Sequence, residues 1–214
     1  SAKIVAEVLK LPMNRITVVS GDTDSCAFDT GAYASSGTFF SGNASLTATN
    51  KLKDMILVEA AYQMNEKLEN LEIRYPGEVY STVTGVSRSY YEISHTACSG
   101  EGHGQMIAHG TYITKASSVP YGGHFAHVAV NIKTGVVILT SLGTWGLPQM
   151  VQKFYAIQDA GTPINPEIAL CQMYGAVMKS IGHSLYEDMK LDKNGHCLNS
   201  NMTDYGVPMI WEAP

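Results

Sequence analysis

The chain has 214 residues, of which 45% are hydrophobic and 15% are charged, so it is long enough to bury a substantial core. Its net charge of −5 predicts no attraction to nucleic acid or to an anionic membrane, and no segment approaches the run of about 18 apolar residues that spans a bilayer. Four cysteines without a CxxC pair argue against a disulfide framework or a zinc knuckle and favour a reducing compartment, the cytoplasm. The low charged fraction also indicates that a partner covers some of the surface.

The first third of the chain is predicted to be mostly helical. Residues 2–10 carry apolar side chains at helical spacing, and the helix is expected to end at Leu11-Pro12. The β-branched residues between 15 and 20 predict a strand. Apolar residues recur at helical spacing from 42 to 71, which at this length predicts two helices rather than one.

The remainder alternates strands and helices and predicts an α+β fold, with two-layer mixed sheets and packed helices. The turn signal Tyr75-Pro76-Gly77 marks the expected boundary between two domains, residues 1–77 and residues 78–214. Asn165, Pro166 and Glu167 are typical of a helix start and predict a helix over 166–189. The other predicted elements are a strand in 79–87, a helix start at 90–93, a glycine-rich loop at 98–105, and strands at 106–112, 124–132, 136–139 and 154–158.

Residues 32–42 are rich in small and hydroxyl side chains and contain no charge. They run directly into the predicted helix, so backbone N–H groups and hydroxyls are dense at a helix N-terminus. This arrangement suits a phosphate or another anionic group. A tight surface turn is the alternative interpretation, because an isolated glycine-rich loop is a weak signal.

Three blocks of sequence, in order, resemble the molybdopterin-binding subunit of the xanthine dehydrogenase (molybdenum hydroxylase) family. The resemblance covers nearly the whole chain. The first block is GDTD at 21–24, DTGAYAS at 29–35, Thr38 and GNA at 42–44; the second is QDAGTPINP at 158–166, Gln172, Gly175, IG at 181–182 and LYE at 185–187; the third is DKNG at 192–195, LN at 198–199 and DYGVP at 204–208.

The resemblance implies that the chain belongs to the molybdenum-cofactor-binding domains of the aldehyde oxidase and xanthine dehydrogenase type. Residues 1–77 would end the first molybdopterin-binding half, and residues 78–214 would form a second half that is truncated at the C-terminus. The expected cofactor is molybdenum–molybdopterin, with the cytosine dinucleotide form as one alternative. The family pattern places cofactor contacts at Ala34, Ser35, Ser36, Gly37, Thr38 and Gln172. No side chain is expected to ligate the metal, and Ala34 is the residue that the resemblance places nearest to it.

The implied activity is the water-derived hydroxylation of an N-heterocycle such as a purine. The resemblance also implies partner subunits that carry iron–sulfur clusters and FAD. The four cysteines of this chain lack ferredoxin spacing. The family's general-base glutamate is expected beyond Pro214, so no catalytic residue is assigned to Glu101, Glu187 or Glu212. Ser36 stands where many relatives carry arginine, which leaves the substrate type open. A non-catalytic scaffold or docking module that retains the fold is the alternative.

Several residues have two interpretations. Asp22 and Asp24 are expected to form turns rather than a metal site, and Asn165 is expected to cap a helix rather than to contact a ligand. Gln172 is either a cofactor contact or an exposed helical glutamine. His103, in a glycine-rich loop, is a candidate to line a substrate entrance. Residues 140–152 form an apparent insertion of unassigned role.

Overall fold

The computed structural model describes residues 1–29, 31–116, 119–135, 137–138 and 151–213. The chain divides into two compact units, Ser1–Ser118 and Val119–Pro214. The apparent insertion at 140–152 falls almost wholly outside the described residues.

The first unit packs three helices against a small antiparallel sheet. The sheet order is β1-β2-β3, with Leu71 opposite Ser81 and Val79 opposite Arg88. Short 3-10 turns occur at Met13–Arg15 and Leu68–Asn70, and a π-helical turn at Ala97–Glu101 follows the last helix. The elements are α1 (Ala2–Leu9), α2 (Gly37–Met64), β1 (Leu71–Arg74), β2 (Glu78–Ser81), β3 (Ser87–Ser89) and α3 (Tyr90–Thr96).

Apolar side chains from all three helices and two strands form the core of this unit. Partly buried residues such as Val5, Leu52 and Tyr90 pack around it. Burying each valine, leucine or isoleucine side chain of this core is worth about 1.5–3 kcal/mol, so the cluster holds α1 and α3 on α2. The core residues are Leu9, Ile56, Ala60, Leu71, Val79 and Ile93.

Helix α2 is a single helix of 28 residues, so the prediction of two helices within 42–71 was wrong. The helix continues through a polar stretch whose short side chains bond to carbonyl oxygens one turn earlier, and this stretch packs through Gly42 against Ile4 of α1. Asn43 donates to Phe39, Thr47 to Asn43, and Thr49 to Ser45, at 2.6–2.9 Å. These bonds satisfy the hydroxyl and amide groups with carbonyls of the same helix, so the polar residues do not interrupt it. The helix ends where Asn65 adopts a left-handed conformation with φ 53°.

Two predicted strands of the first unit are not strands. Residues 16–20 form no ladder with any described residue, and Val18 and Val19 are exposed. The segment 106–112 runs along α2 instead of pairing: Lys51 donates to the His109 carbonyl at 3.1 Å, and a Cβ on Gly110 would lie 2.8 Å from Ala48 Cβ. Alternating side chains indicate an extended chain, but a strand also requires a partner to share its ladder.

The predicted domain boundary near Gly77 falls inside the first unit. The turn at 75–77 is present, but it joins β1 to β2 in a hairpin, so hydrogen bonds cross it. The predicted strand over 79–87 is two strands, because buried Ser81 accepts hydrogen bonds from the amides of Val83 and Thr84 and turns the chain. The division into two cofactor-binding halves stays a prediction, while the compact units divide about 40 residues later.

The described part of the second unit contains an antiparallel sheet of order β5-β4-β6 and two helices. Tyr121 lies opposite Asp159 and Phe125 opposite Tyr155, with an irregularity after His127. The strands predicted in this unit are confirmed where the structure describes them, and the helix predicted over 166–189 ends at Leu185. In the first unit, the beginning of the loop predicted at 98–105 forms part of the π-helical turn. The elements are β4 (Tyr121–Val130), β5 (Val137–Ile138), β6 (Val151–Asp159), α4 (Pro166–Leu185) and α5 (Met202–Tyr205), followed by a 3-10 turn at Ile210–Glu212. The α+β class is confirmed.

Candidate functional site

A sharp bend precedes helix α2. Ala34 and Ser35 both have left-handed backbone conformations, with φ values of 49° and 58°. Residues other than glycine pay about 1–2 kcal/mol each for this conformation, and such strain concentrates at functional sites. The bend is closed by Ser36, whose N–H and Oγ both donate to the Tyr33 carbonyl, at 3.1 and 2.5 Å.

The bend leads directly into an uncapped helix N-terminus. The Ser36 hydroxyl donates to the Tyr33 carbonyl, so this residue at the N-cap position makes no side-chain capping bond to the first turn of α2. The first N–H groups of a helix have no partner within it, and they lie at the positive end of the helix dipole. Ala34, Ser35 and Thr38 are exposed, and Ser36 and Gly37 are half-buried. The five residues therefore bring backbone N–H groups and small side chains together in a form that suits an anion.

The acidic residues before the bend form turns. The Asp22 carboxylate accepts hydrogen bonds from the Asp24 N–H and the Ser25 hydroxyl, both at 2.9 Å. These two bonds lower the pKa of Asp22. Asp29 accepts from the Gly31 N–H at 2.6 Å. The turn-forming interpretation is confirmed for Asp22, whereas Asp24 takes part through its backbone.

Helix α4 carries Gln172, which is exposed. The predicted cap at Asn165 is confirmed, because its side-chain oxygen accepts from the Ile168 N–H at 3.5 Å and Pro166 occupies the first turn. Before it, the Asp159 carboxylate accepts from the Gly161 N–H at 2.9 Å and shapes the connecting loop. Gln172 lies in the second unit and the bend at Ala34 in the first.

The second and third sequence blocks pack against each other within the second unit. Gly182 on α4 leaves no space for a side chain, since a Cβ there would lie 2.7 Å from Pro208 and 2.5 Å from Glu187. Glu187 hydrogen-bonds to Tyr205, and this bond is the main cause of a raised pKa for Tyr205. These motif residues therefore have a structural role: they hold the end of α4 against the segment around α5.

Two glutamates that sequence analysis declined to assign as catalytic residues are engaged with tyrosines. Glu187 bonds to Tyr205, and Glu212 bonds to Tyr186. Burial, followed by the nearby Glu212 carboxylate, raises the pKa of Tyr186. Both carboxylates thus act as local hydrogen-bond acceptors in the structure.

A buried asparagine organises the third block. Asn199 accepts from the Lys190 N–H at 2.9 Å and donates to the carbonyls of Asp188 and Asp204, at 2.5 and 3.2 Å. Nearby, the Asp192 carboxylate accepts hydrogen bonds from the backbone N–H and from the ring of His196. Both bonds lower the pKa of Asp192, and the backbone bond contributes more. The block is therefore a compact turn built from its own polar side chains.

A buried carboxylate that sequence analysis missed lies towards the C-terminal end of α2. The Glu59 side chain is 3% exposed, and its oxygens accept from Gln63 Nε2 at 2.7 Å, the His103 N–H at 3.2 Å and His103 Nδ1 at 2.7 Å. Burial raises the pKa of Glu59, but the bonds from Gln63 and His103 outweigh it, so the net pKa lies below its ordinary value. The sequence does contain one indication of this site, because Glu59 falls on the same apolar helix face as Ile56 and Ala60.

A pocket of about 260 Å³ opens beside this network in the first unit. Leu52, Ile56 and Ile93 contribute an apolar wall. The chain that follows His103 contributes another wall through Gly104, Gln105 and Met106. His103 is anchored to α2 by Glu59, and its place at a substrate entrance stays a prediction.

Searches for two further kinds of site were negative. Across the described ranges, three or more His, Cys, Asp or Glu side chains do not come together in a way that could hold a metal ion. In the same part of the chain, every helix is too short or too polar to cross a membrane.

Comparison with known proteins gives a consistent result. A family model described as "Molybdopterin cofactor-binding domain" matches residues 1–214. The "Probable hypoxanthine oxidase XdhD" of Escherichia coli (strain K12) is 42% identical over 212 residues, which are 99% of this chain and 21% of that protein. The chain thus spans about a fifth to a quarter of the length of the curated relatives it matches.

Two solved structures share the fold over the whole chain. A Cu,Mo-CO dehydrogenase has a TM-score of 0.79 at 22% identity, and the match covers 26% of that chain. Quinoline 2-oxidoreductase from Pseudomonas putida 86 has a TM-score of 0.77 at 25% identity, again over 26% of its chain.

Proposed function

Because the chain belongs to the molybdopterin cofactor-binding domain family, we propose that it is one cofactor-binding part of a molybdenum hydroxylase. The substrate we propose is an N-heterocycle such as a purine. The 42% identity to a protein named as a probable hypoxanthine oxidase supports this choice, although the match covers only 21% of that protein. The observation that carries the proposal is the family match over the full chain together with the strained, uncapped bend before α2.

The residues of the bend fit an anionic cofactor. Ala34 and Ser35 turn the backbone sharply, and no side chain caps the N–H groups that follow. We propose that Ala34, Ser35, Ser36, Gly37 and Thr38 bind molybdenum–molybdopterin through backbone amides and hydroxyls, with Ala34 nearest the metal. The cytosine dinucleotide form of this cofactor is the alternative that we propose for the bound species. When bound, this cofactor supplies the redox centre of the reaction.

Gln172 is proposed as a further cofactor contact. A primary amide offers two donors and one acceptor, which suits the edge of a pterin ring. Its exposure on α4 leaves the amide available. The protein's own contribution at both places is to bind and orient; a proton-transferring carboxylate is not proposed within this chain, because Glu187 and Glu212 are occupied by tyrosines.

We further propose that electrons leave through partner subunits carrying iron–sulfur clusters and FAD, in the cytoplasm. Relatives that are named as subunits or chains support an assembly, since one is named as a xanthine dehydrogenase molybdenum-binding subunit. A non-catalytic scaffold is the second candidate. The exposed position of the bend in this chain is the observation that favours it.

Metal and pterin analysis of the native assembly tests the proposal. We expect molybdenum and pterin near one per assembly, and Gln172→Ala is expected to lower cofactor content with little effect on the fold, because the side chain is exposed. Lys179→Ala, an exposed change on the same helix, is the control and should retain the cofactor. A folded assembly without molybdenum and pterin would favour the scaffold, and unchanged cofactor in Gln172→Ala would remove that residue from the site.

A further inference from the structure

Gln63 has a fixed orientation in the network around Glu59. Its Oε1 accepts from Arg88 at 3.3 Å, and a guanidinium can only donate. Its Nε2 donates to the Ile93 carbonyl at 2.9 Å, and a carbonyl can only accept. The atom that faces Glu59 is therefore an amide donor, and Glu59 Oε1 has to accept.

The other oxygen of Glu59 receives both donors from His103. The backbone N–H and ring Nδ1 both contact Glu59 Oε2, at 3.2 and 2.7 Å. An ionised carboxylate accepts at both oxygens, whereas a side-chain amide has only one oxygen. The network thus requires a carboxylate at position 59, which agrees with its lowered pKa.

The backbone of the loop is pressed against this carboxylate. A Cβ on Gly102 would collide with Glu59 Oε1 and would lie 2.7 Å from Ala97 Cα. The Gly104 N–H donates to the Ala97 carbonyl at 3.0 Å, and the Tyr62 ring meets the His103 ring edge-on with centroids 5.1 Å apart. The imidazole is held on one side by the carboxylate and on another by the aromatic ring.

We propose that Glu59 is a positioning residue that fixes His103 with its proton on Nδ1, so that Nε2 of the neutral ring is an acceptor site for an N–H or O–H donor. The carboxylate accepts, so Nδ1 donates. Nε2 has no hydrogen-bond partner among the described residues, and the His103 side chain is 65% exposed. A carboxylate that accepts from one ring nitrogen of an imidazole fixes the tautomer and the orientation of the ring, and leaves the lone pair on the opposite nitrogen. This inference is independent of the proposed cofactor site.

Carbethoxylation of histidines by diethyl pyrocarbonate, followed by mass spectrometry of the intact native protein, tests the proposal. The reagent acylates an unprotonated imidazole nitrogen. His95 is the control within the same protein, because it is exposed and contacts a tyrosine ring rather than a carboxylate. Because Nδ1 is held by Glu59 and the lone pair of Nε2 faces solvent, we expect His103 to react about threefold or more faster than His95, which lacks such a carboxylate contact among the described residues. Equal rates, or a His103 that stays unmodified, would overturn the proposal.

The variant Glu59→Gln shows whether the reactivity of His103 depends on the Glu59 carboxylate or only on the exposure of its ring. The variant is expected to bring the His103 rate down to that of His95 while leaving the His95 rate unchanged. Glu69→Gln makes the same chemical change at an exposed position and should alter neither rate. An unchanged His103 rate in folded Glu59→Gln contradicts the assignment; should that variant fail to fold, the comparison of His103 with His95 in the unaltered protein decides.

Discussion

Ala34 adopts a backbone conformation that glycine adopts without strain. Ala34→Gly is therefore expected to raise the local opening free energy at the bend by no more than about 1 kcal/mol, since relief of strain is offset by the greater freedom of glycine in the open state. Ala34→Val is expected to lower it by about 1–2 kcal/mol, because a β-branched side chain fits this region poorly. Hydrogen exchange of a peptide covering the bend measures both changes. Equal exchange in the two variants would show that the bend is not strained.

Asn199 is expected to stabilise the third sequence block. Asn199→Ala leaves the Lys190 N–H and the carbonyls of Asp188 and Asp204 without their partner, at a cost of about 1–3 kcal/mol. Hydrogen exchange over 188–206 should accelerate accordingly. Asn194→Ala, at an exposed position in the same block, is the control and should exchange as the unaltered protein does. Similar exchange in both variants would contradict this role.

At the scale of elements, the buried Glu59 carboxylate couples the stability of α2 and its neighbours to pH. The folded pKa of Glu59 is lowered, so its stabilising contribution is complete above the ordinary carboxyl range and is lost as pH falls through the folded value. Glu59→Gln should be less stable at pH 7 by about 1–3 kcal/mol, and the difference should shrink towards about pH 3. Urea unfolding followed by far-UV circular dichroism measures this. A difference that does not depend on pH would contradict an ionised Glu59.

Elements that depend on local signals were predictable. The cap residues Asn165 and Pro166 defined the start of α4, and Leu11-Pro12 marked the end of α1. Elements that depend on distant partners were not predictable. Residues 15–20 and 106–112 have strand-like sequences but pair with no strand among the described residues. The length of α2 was not evident from the sequence either, because serine, threonine and asparagine have poor helix propensity and the packing of α2 against α1 offsets it.

The same distinction applies to the candidate site. The small-residue bend could be located from its composition and its resemblance to the family, because those residues are contiguous. The pair of Glu59 and His103 could not be located from the sequence, since the two residues are 44 positions apart. A glutamate on an apolar helix face predicts a partner but does not identify it.

At the scale of the whole molecule, one face of the β4–β6 ladder is apolar and exposed. Phe125 lies opposite Tyr155 and Gly123 opposite Ile157, and Tyr121 shares the face, since residues two apart point the same way. Exposed apolar patches of this kind mark contact surfaces. We expect a protein surface to cover this face in the native assembly. Oxidative footprinting of native and urea-denatured protein should show Phe125 and Tyr155 protected in the native state, and equal labelling would contradict this.

The central claim is that the bend from Ala34 to Thr38 binds the molybdenum cofactor. An experimental density map of the cofactor-loaded native assembly tests it most directly. We expect cofactor atoms within about 3 Å of backbone amides in this bend. A map in which the bend faces bulk water, distant from any pterin, would contradict the claim.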